Sequence, residues 1–274
     1  MKSKPSNYLT KTFDSKVETY RQRLLVGTPT TGQVRMEWAV ARYAQAIPTN
    51  FSKVDMLNYV SGVVPIRYSV ADAQNVIVNE AVTMNYEWLM LIEHDTMPPP
   101  DGYIQFNDYM RKAQYPVVSG LYFTRSHPAE PLIYRGLGNS YYTKWKLGDK
   151  IEVDGVPTGM LLIHCKLLKA LWEDCEEYSV DNRLTVRRVF DSPAKTWFNT
   201  ETGAQETLVG TSDLNWCGRI IEGGYLAKAG WPELQKKKYP FIVDTNIKCN
   251  HIDPDGVQFP IGGIEAWCAK NGNL

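Results

Sequence analysis

Apolar and polar positions alternate along the first 120 residues in a pattern of short buried strands separated by amphipathic helices. The apolar run 89–92 is unbroken, which is typical of a strand covered on both faces. Apolar residues three and four positions apart predict helices over about 34–46, 72–84 and 100–113. The predicted strands are 23–27, 54–60, 62–68, 86–95 and 115–123. This alternation predicts an α/β fold with a central, mostly parallel sheet and helices on both faces.

The second half of the chain has a different pattern. Short strand-like runs and glycine-rich turns extend over 131–163, and helices are predicted over 166–173 and 213–223. The polar stretch 179–210 has no clear period, so we expect a mobile or partner-facing excursion there. Two last strand-like segments flank 243–245. Together these patterns predict a polar leader over 1–22, one domain over 23–256 and a C-terminal tail over 257–274.

Composition narrows the class of protein. The 274 residues include 43% hydrophobic residues, enough for a substantial core. Thirty basic and thirty acidic residues cancel, which argues against duplex DNA as the main partner. No stretch has the apolar length of a transmembrane segment or a signal peptide, so we expect a soluble, cytoplasmic protein. The five cysteines are widely spaced, which predicts reduced, partly buried thiols.

The strongest chemical signal is a pair of carboxylates directly after the apolar run. Glu93 and Asp95 follow it, and three prolines at 98–100 follow them. In an extended chain residues of equal parity point the same way, so both carboxylates are expected on one side and His94 on the other. We interpret His94 as a core group. Two oxygen donors at the carboxyl end of a strand suit a divalent cation that also holds a diphosphate.

Six segments, taken in order, carry a resemblance to a known family. They are 24–30, 73–75, 93–95, 158–163, 212–217 and 243–245, the last of which leads to His251. Together they resemble glycosyltransferases of the GT-A fold, of the family-2-like, shorter bacterial and viral type. The resemblance covers residues 23–255 and implies a Rossmann-like sheet with a smaller antiparallel portion on the acceptor side.

The resemblance implies roles for individual residues. Asp95 and His251 would hold Mn²⁺ or Mg²⁺, and the imidazole favours manganese. Asp213, at the start of a helix, would be the base that takes the proton of an acceptor hydroxyl, although Ser212 stands where relatives carry a Glu. Asp213 equally suits a helix cap. The residues implied in nucleotide-sugar binding are Thr28, Pro29, Thr30, Gln74, Glu93 and Gly159.

The predicted function is therefore metal-dependent transfer of a sugar, of hexosyl type, from a nucleotide-diphosphate sugar to a hydroxyl acceptor. The acceptor could be a saccharide, a lipid, a protein or a modified nucleobase. The resemblance favours inversion of the anomeric centre, and retention stays open because the Glu is missing.

Four alternatives stay open at this stage. A nucleotidyltransferase shares the acidic site but is expected to carry a basic phosphate loop, and 28–32 has no Lys or Arg. A nucleotide-sugar-binding module without catalysis is the main non-enzyme alternative. A metal hydrolase is disfavoured because the chain has four His and no His-x-x-x-His pair. Neither charge nor repeats support a viral structural protein.

Overall fold

The computed structural model describes residues 22–136 and 142–274. Its helices are α1 Met36–Tyr43, α2 Lys53–Ser61, α3 Val70–Thr83, α4 Gly102–Lys112, α5 Cys165–Trp172, α6 Ser212–Glu222, α7 Tyr225–Lys228, α8 Pro232–Gln235 and α9 Ile264–Asn271. Its strands are β1 Gln22–Gly27, β2 Tyr86–Ile92, β3 Thr96–Met97, β4 Val117–Leu121, β5 Lys150–Val153, β6 Met160–His164, β7 Glu177–Val180, β8 Leu184–Arg187, β9 Ala194–Asn199, β10 Ala204–Val209, β11 Phe241–Lys248, β12 Asn250–Ile252 and β13 Gln258–Phe259.

The main sheet, within these described residues, has six strands in the order β1-β2-β6-β4-β11-β5. β1 is parallel to β2 and β4 is parallel to β11, whereas β6 is antiparallel to both of its neighbours and β5 is antiparallel to β11. From these pairings, four of the six strands run in one direction, namely β1, β2, β4 and β11. The prediction of an α/β fold is confirmed.

Helices cover both faces of this sheet, and alternate residues of the strands point to opposite faces. On one face, Leu89 and Leu91 of β2 belong to the same apolar cluster as Ile77 of α3 and Leu168 of α5. On the other face, Met90 packs in a second cluster with residues of three helices, namely Trp38 of α1, Tyr59 of α2, and Tyr103 and Phe106 of α4. The two clusters explain why 89–92 is apolar at every position.

A small antiparallel sheet lies next to the end of β2. β12 pairs with β3 on one side and with β13 on the other. In this register His251 is opposite Thr96, and the Ile252 N–H donates to the Asp95 carbonyl at 2.8 Å. The pairing therefore carries the late residue His251 to the turn that contains Asp95.

Two predicted strands are not strands in the structure. Residues 54–60 lie in α2, which begins with a capping box between Ser52 and Asp55. Their β-branched residues suggested a strand, but the cap and tertiary contacts favour a helix. In the described structure, residues 62–68 form only two isolated bridges, from Val63 to Gly27 at the end of β1 and from Ile66 to Thr30 beyond it.

The segment 179–210, for which a mobile or partner-facing excursion is expected, contains most of two antiparallel hairpins, β7–β8 and β9–β10, which its lack of a clear period does not reveal. The predicted helix over 34–46 is shorter, since α1 ends at Tyr43. Almost all of the predicted leader, residues 1–21, lies outside the described residues.

The segment 257–274 contains β13 and α9, and Ile264 and Cys268 of α9 are buried in the core. The domain boundaries themselves stay predictions. All five cysteines are buried and unpaired with one another. Of the helices in the described ranges, none is long and apolar enough to cross a membrane.

Candidate active site

A cavity of about 240 Å³ opens beside the carboxyl ends of β1 and β2. Ligands in open α/β sheets bind at this edge. The predicted site residues among its lining are Pro29, Thr30, Glu93, Asp95 and His251. A neighbouring cavity of about 280 Å³ shares His94, Asp95 and Arg125 with the first.

The carboxylate motif is a turn and not the end of an extended strand. β2 ends at Ile92, and the Thr96 N–H donates to the Glu93 carbonyl at 3.1 Å. The rule that equal parity points two side chains the same way therefore does not apply here. His94, expected on the opposite side, lines the same cavity as Glu93 and Asp95. The predicted clustering of the two acids holds, but the turn produces it.

Asp95 and His251 contact each other directly. Nε2 of His251 lies 3.3 Å from Oδ2 of Asp95, and both side chains are largely buried. Nδ1 of His251 is 2.9 Å from the carbonyl oxygen of Phe123. Because a carbonyl oxygen can only accept, Nδ1 carries the proton of this hydrogen bond. The Phe123 carbonyl therefore fixes the ring so that Nε2 faces the carboxylate.

Arg125 is the third member of this cluster and was missed by the sequence analysis. Its Nη1 lies 3.1 Å from Oδ2 of Asp95. Burial acts to raise the pKa of Asp95, but the hydrogen bond from His251 and the positive charges of His251 and Arg125 outweigh it and lower this pKa. The polar segment 124–126 follows β4 at the same sheet edge, and this was the signal available in the sequence.

The Asp95–His251 pair fits a divalent cation. Oδ1 of Asp95 is buried and has no hydrogen-bond partner in the described structure. Bonds from such cations to carboxylate oxygen and imidazole nitrogen are about 2.0–2.2 Å, so atoms as close as this pair can share one ion. Metal-binding histidines commonly donate their other N–H to a backbone carbonyl, as His251 does. The described residues contain no group of three or more His, Cys, Asp or Glu able to hold a metal, so a ligand or water would complete the site.

Glu93 is held by a chain of buried hydrogen bonds. Thr158 Oγ1 donates to Glu93 Oε1 at 2.7 Å, and Gln74 Nε2 donates to Thr158 Oγ1 at 3.1 Å. Ser212 Oγ donates to Gln74 Oε1 at 2.8 Å. We name Ser212, Gln74, Thr158 and Glu93 the polar relay. Every donor in it points towards Glu93, so the relay joins the start of α6, the helix α3 and the carboxylate turn.

The electrostatics of Glu93 differ from those of Asp95. The pKa of Glu93 is raised to about 7, mostly by burial and also by the negative charges of Asp95 and Asp213. The hydrogen bond from Thr158 and the charge of His251 partly oppose this. The two acids of one motif therefore have pKa values displaced in opposite directions.

Gln74 and Gly159, two of the predicted binding residues, are engaged within the protein. Gln74 is fully buried, and its amide oxygen and nitrogen both bond within the polar relay. At Gly159 a Cβ atom would lie 2.4 Å from Cζ of Tyr122 and 2.6 Å from Oγ1 of Thr96. The Gly159 N–H also donates to the Tyr122 hydroxyl at 2.7 Å. The close approach that this glycine permits is therefore to the Tyr122 ring.

Asp213 lies in the first turn of α6, next to the relay residue Ser212. Its Oδ1 accepts a hydrogen bond from the Leu214 N–H at 2.8 Å. Burial raises the pKa of Asp213 despite this bond. Its charge also contributes to the raised pKa of Glu93 and of Tyr122, which places it in the electrostatic surroundings of the cavity.

The loop 28–30 runs along the cavity wall. The Thr28 N–H donates to the Val63 carbonyl at 2.9 Å, and the Arg67 N–H donates to the Thr30 carbonyl at 3.2 Å. Pro29 and Thr30 line the cavity, whereas Thr28 is buried beside it. Of the three predicted nucleotide contacts, two have direct access to the space.

Comparisons with known proteins give distant likenesses. No family model matches the sequence, and no curated protein matches it. Among solved structures, the chain is similar to A197 from STIV, with 16% identity over 86% of this chain and 93% of that chain and a TM-score of 0.47. It is similar to S. aureus TarS, with 11% identity over 54% of this chain and 29% of that chain and a TM-score of 0.36.

A third similar structure is CMP:2-keto-3-deoxy-manno-octonic acid synthetase complexed with CTP. The identity is 7% over 92% of this chain and 97% of that chain, with a TM-score of 0.28. At these identities and TM-scores, none of the three assigns a family or an activity to this chain.

Proposed function

We propose that this chain is a metal-assisted glycosyltransferase with a GT-A-like fold, which transfers a sugar from a nucleotide-diphosphate donor to a hydroxyl acceptor. The observation that carries the proposal is the orientation of His251. Its Nδ1 is held by the Phe123 carbonyl, and its Nε2 faces Asp95 at 3.3 Å beside the cavity. This supports the ligand pair that the sequence resemblance implies.

Asp95 and His251 would hold Mn²⁺ or Mg²⁺, and their donor atoms fit either ion, with imidazole favouring manganese. A cation at this position supplies positive charge that stabilises the departing nucleoside diphosphate. Glu93 would contact the cation or the ribose, fixed in place by its hydrogen bond from Thr158. Pro29 and Thr30 would form the wall against which the nucleoside lies.

Asp213 is the proposed base. Its carboxylate would accept the proton of the acceptor hydroxyl as the hydroxyl oxygen bonds to the anomeric carbon and the bond from that carbon to the nucleoside diphosphate breaks. Attack on the face opposite the leaving diphosphate would invert the anomeric carbon. Gln74 and Gly159 would act indirectly, since Gln74 orients Thr158 and Gly159 leaves room for Tyr122. A hexose is the proposed sugar, and the acceptor class stays open among saccharide, lipid, protein and modified nucleobase.

The test is release of nucleoside diphosphate from a panel of nucleotide sugars, with Mn²⁺, Mg²⁺ or chelator. The panel is run on the wild type, on Asp95→Asn and on Asp255→Asn, an exposed aspartate four residues from His251. We expect release that chelator abolishes, that Asp95→Asn reduces about a hundredfold or more, and that Asp255→Asn preserves.

Absence of both release and donor-induced thermal stabilisation across the panel would contradict the proposal. Binding without release, in the presence of candidate acceptors, would favour the binding module. Release of pyrophosphate from a nucleoside triphosphate in place of diphosphate release would favour the nucleotidyltransferase.

A further inference from the structure

Arg125 forms an ion pair with Asp95, whose carboxylate is also needed to bind the proposed cation. Its Nη1 lies 3.1 Å from Oδ2 of Asp95, the same oxygen that faces His251. Oδ2, the Asp95 oxygen nearest to Nε2 of His251, is poorly available to a cation shared with His251 while it pairs with the guanidinium. Arg125 and a divalent ion therefore compete for this oxygen of Asp95.

The contact is built so that the arginine can leave. The Arg125 side chain is 41% exposed, whereas that of Asp95 is 17% exposed. The guanidinium approaches the carboxylate most closely through Nη1, and Asp95 is the only ionic partner of Arg125 among the residues described. Ion pairs with an exposed partner are weak, and a guanidinium has five N–H donors, so it can bind a further acceptor.

The backbone that carries Arg125 is fixed even though its side chain is exposed. The Thr124 N–H donates to the Glu130 carbonyl at 2.9 Å, and the Glu130 N–H donates to Thr124 Oγ1 at 3.0 Å. The preceding residue, Phe123, is buried and supplies the carbonyl that orients His251. A movement of the side chain alone would therefore leave the His251 contact intact.

Arg125 also lines both cavities, so its guanidinium lies where an anionic ligand would enter. A planar guanidinium binds phosphate oxygens through two parallel hydrogen bonds. A diphosphate offers more negative charge and more acceptor oxygens than the Asp95 carboxylate, so it is the better partner for Arg125.

We propose that Arg125 exchanges partners during donor binding. It pairs with Asp95 in the arrangement described, and it passes to the diphosphate of the incoming donor, which frees Asp95 for the divalent cation. The cation and the diphosphate then bind cooperatively, each favouring the state in which the Arg125–Asp95 contact is broken. This inference rests on the proposed function, because it takes the diphosphate donor from there.

The experiment measures binding of Mn²⁺ alone, by the electron paramagnetic resonance signal of the free ion, and then in the presence of inorganic pyrophosphate. Neither measurement requires turnover. The variants are Arg125→Met, which removes the charge, and Arg125→Lys, which keeps the charge without the planar fork. Arg111→Met is the control, because Arg111 forms an exposed ion pair with Asp108 in α4.

For Arg125→Met we expect Mn²⁺ alone to bind up to about fivefold more tightly than in the wild type, since an exposed competing pair is lost. The Arg125→Met variant should bind pyrophosphate less tightly than the wild type does. Pyrophosphate should also increase the Mn²⁺ affinity of this variant less than it increases that of the wild type. Arg125→Lys should keep the wild-type affinity for Mn²⁺ alone but lose pyrophosphate affinity. Arg111→Met should match the wild type throughout.

Equal or weaker Mn²⁺ binding by Arg125→Met, in a protein whose thermal unfolding matches the wild type, would overturn the inference. Unchanged pyrophosphate binding by both Arg125 variants would do the same. Absence of Mn²⁺ binding by every protein, even with pyrophosphate, would overturn both this inference and the proposed metal site. If the predicted binding changes are found but no sugar transfer is detected, the partner exchange of Arg125 is supported and the proposed function is contradicted.

Discussion

Ser212 and Gln74 are 138 positions apart in sequence, and Ser212 Oγ donates a 2.8 Å hydrogen bond to Gln74 Oε1. This contact joins the first turn of α6 to α3, and Gln74 continues to Thr158 and Glu93. The segment that carries the proposed base is therefore connected through buried polar groups to the carboxylate turn. In the sequence, Ser212 was a departure from the pattern of the resembling family and Gln74 an implied nucleotide-sugar contact, and in the structure they are hydrogen-bond partners.

This connection predicts an energetic coupling between Gln74 and Ser212. Gln74→Leu leaves the Ser212 hydroxyl and the Thr158 hydroxyl without their buried partners, which should lower the free energy of unfolding by about 1–3 kcal/mol. Ser212→Ala removes one of the same bonds. The double variant should therefore lose less than the sum of the two single variants, measured by urea unfolding.

The control pairs Gln74→Leu with Thr83→Ala, because Thr83 is exposed at the other end of α3 and bonds only to Asn79. That pair should be additive within about 0.5 kcal/mol. Additivity of Gln74→Leu and Ser212→Ala within the same range would show that the polar relay does not act as a unit.

Asp213→Asn should abolish most of the turnover and leave donor binding intact. A positioned general base contributes about 10²–10⁴-fold to rate, and the amide has the shape of the carboxylate without its basicity. The matched control is Glu222→Gln, at the exposed end of the same helix. The measurement is kcat for transfer, together with the dissociation constant of the donor. A kcat unchanged by Asp213→Asn would remove Asp213 from the mechanism.

The pH dependence of the transfer rate should also identify Asp213 as the base. Burial raises the pKa of Asp213, so its ionisation should fall above the usual aspartate range near 3.9. A base must be deprotonated, so the rate should rise as pH increases through this raised pKa. In the Asp213→Asn variant, the residual rate should no longer fall at acidic pH. If the residual rate falls with pH as it does in the wild type, the titrating group is a residue other than Asp213.

Gly159→Ala should destabilise the protein by about 1–3 kcal/mol, because overpacking of a core costs energy of this size. The added methyl group would lie 2.4 Å from Cζ of the Tyr122 ring and could not be accommodated without moving it. Gly155→Ala is the control, since its nearest obstacle is the flexible end of Leu214 at 2.7 Å. Thermal unfolding should separate the two variants, and equal losses would contradict the packing argument.

The buried side chain of His164 should make the free energy of unfolding depend on pH. The ring packs between Trp88 and Trp231, and burial lowers its pKa to about 3. Because the unfolded chain binds a proton near pH 6.5 and the folded chain does not, stability should fall as pH decreases from about 6.5 to 3, by up to about 1.4 kcal/mol per pH unit. The His164→Asn variant keeps a side-chain acceptor for the Lys166 N–H.

The measurement is the free energy of urea unfolding between pH 7 and pH 4 for both proteins. The difference between the wild type and His164→Asn should narrow or reverse towards acidic pH. A constant difference across this range would mean that His164 takes up a proton as readily in the folded protein as in the unfolded chain.

The sequence predicted the sheet and the helices on both of its faces because burial on both faces leaves an unmistakable apolar run at 89–92. It failed at 54–60, where Val54, Leu57 and Val60 resemble a strand by composition although they are exposed on α2. The capping box at Ser52 was the available signal for a helix. Local composition alone could not decide, because the choice depends on the contacts of α2 with β1 and its neighbours.

The sequence predicted which types of residue form the candidate site and at which strand end the carboxylates lie. Asp95 and His251 lie together because β12 pairs with β3, a long-range register that spacing along the chain does not reveal. Arg125 and Thr158 were missed as partners for the same reason. The carboxylate turn was mistaken for extended chain, since nothing in three residues distinguishes the last residue of a strand from the first of a turn.

The most direct test of the account is the Mn²⁺ dependence of nucleoside-diphosphate release in the wild type and in His251→Gln. His251 contacts both Asp95 and the Phe123 carbonyl, and Gln has a similar reach but a weaker ligand than imidazole, so the substitution should weaken cation binding without disturbing the cavity wall. We predict that half-maximal release requires about tenfold or more Mn²⁺ in His251→Gln, as for lost metal-shell interactions elsewhere. Release that persists in chelator, or an identical Mn²⁺ requirement in the two proteins, would contradict a cation held by Asp95 and His251.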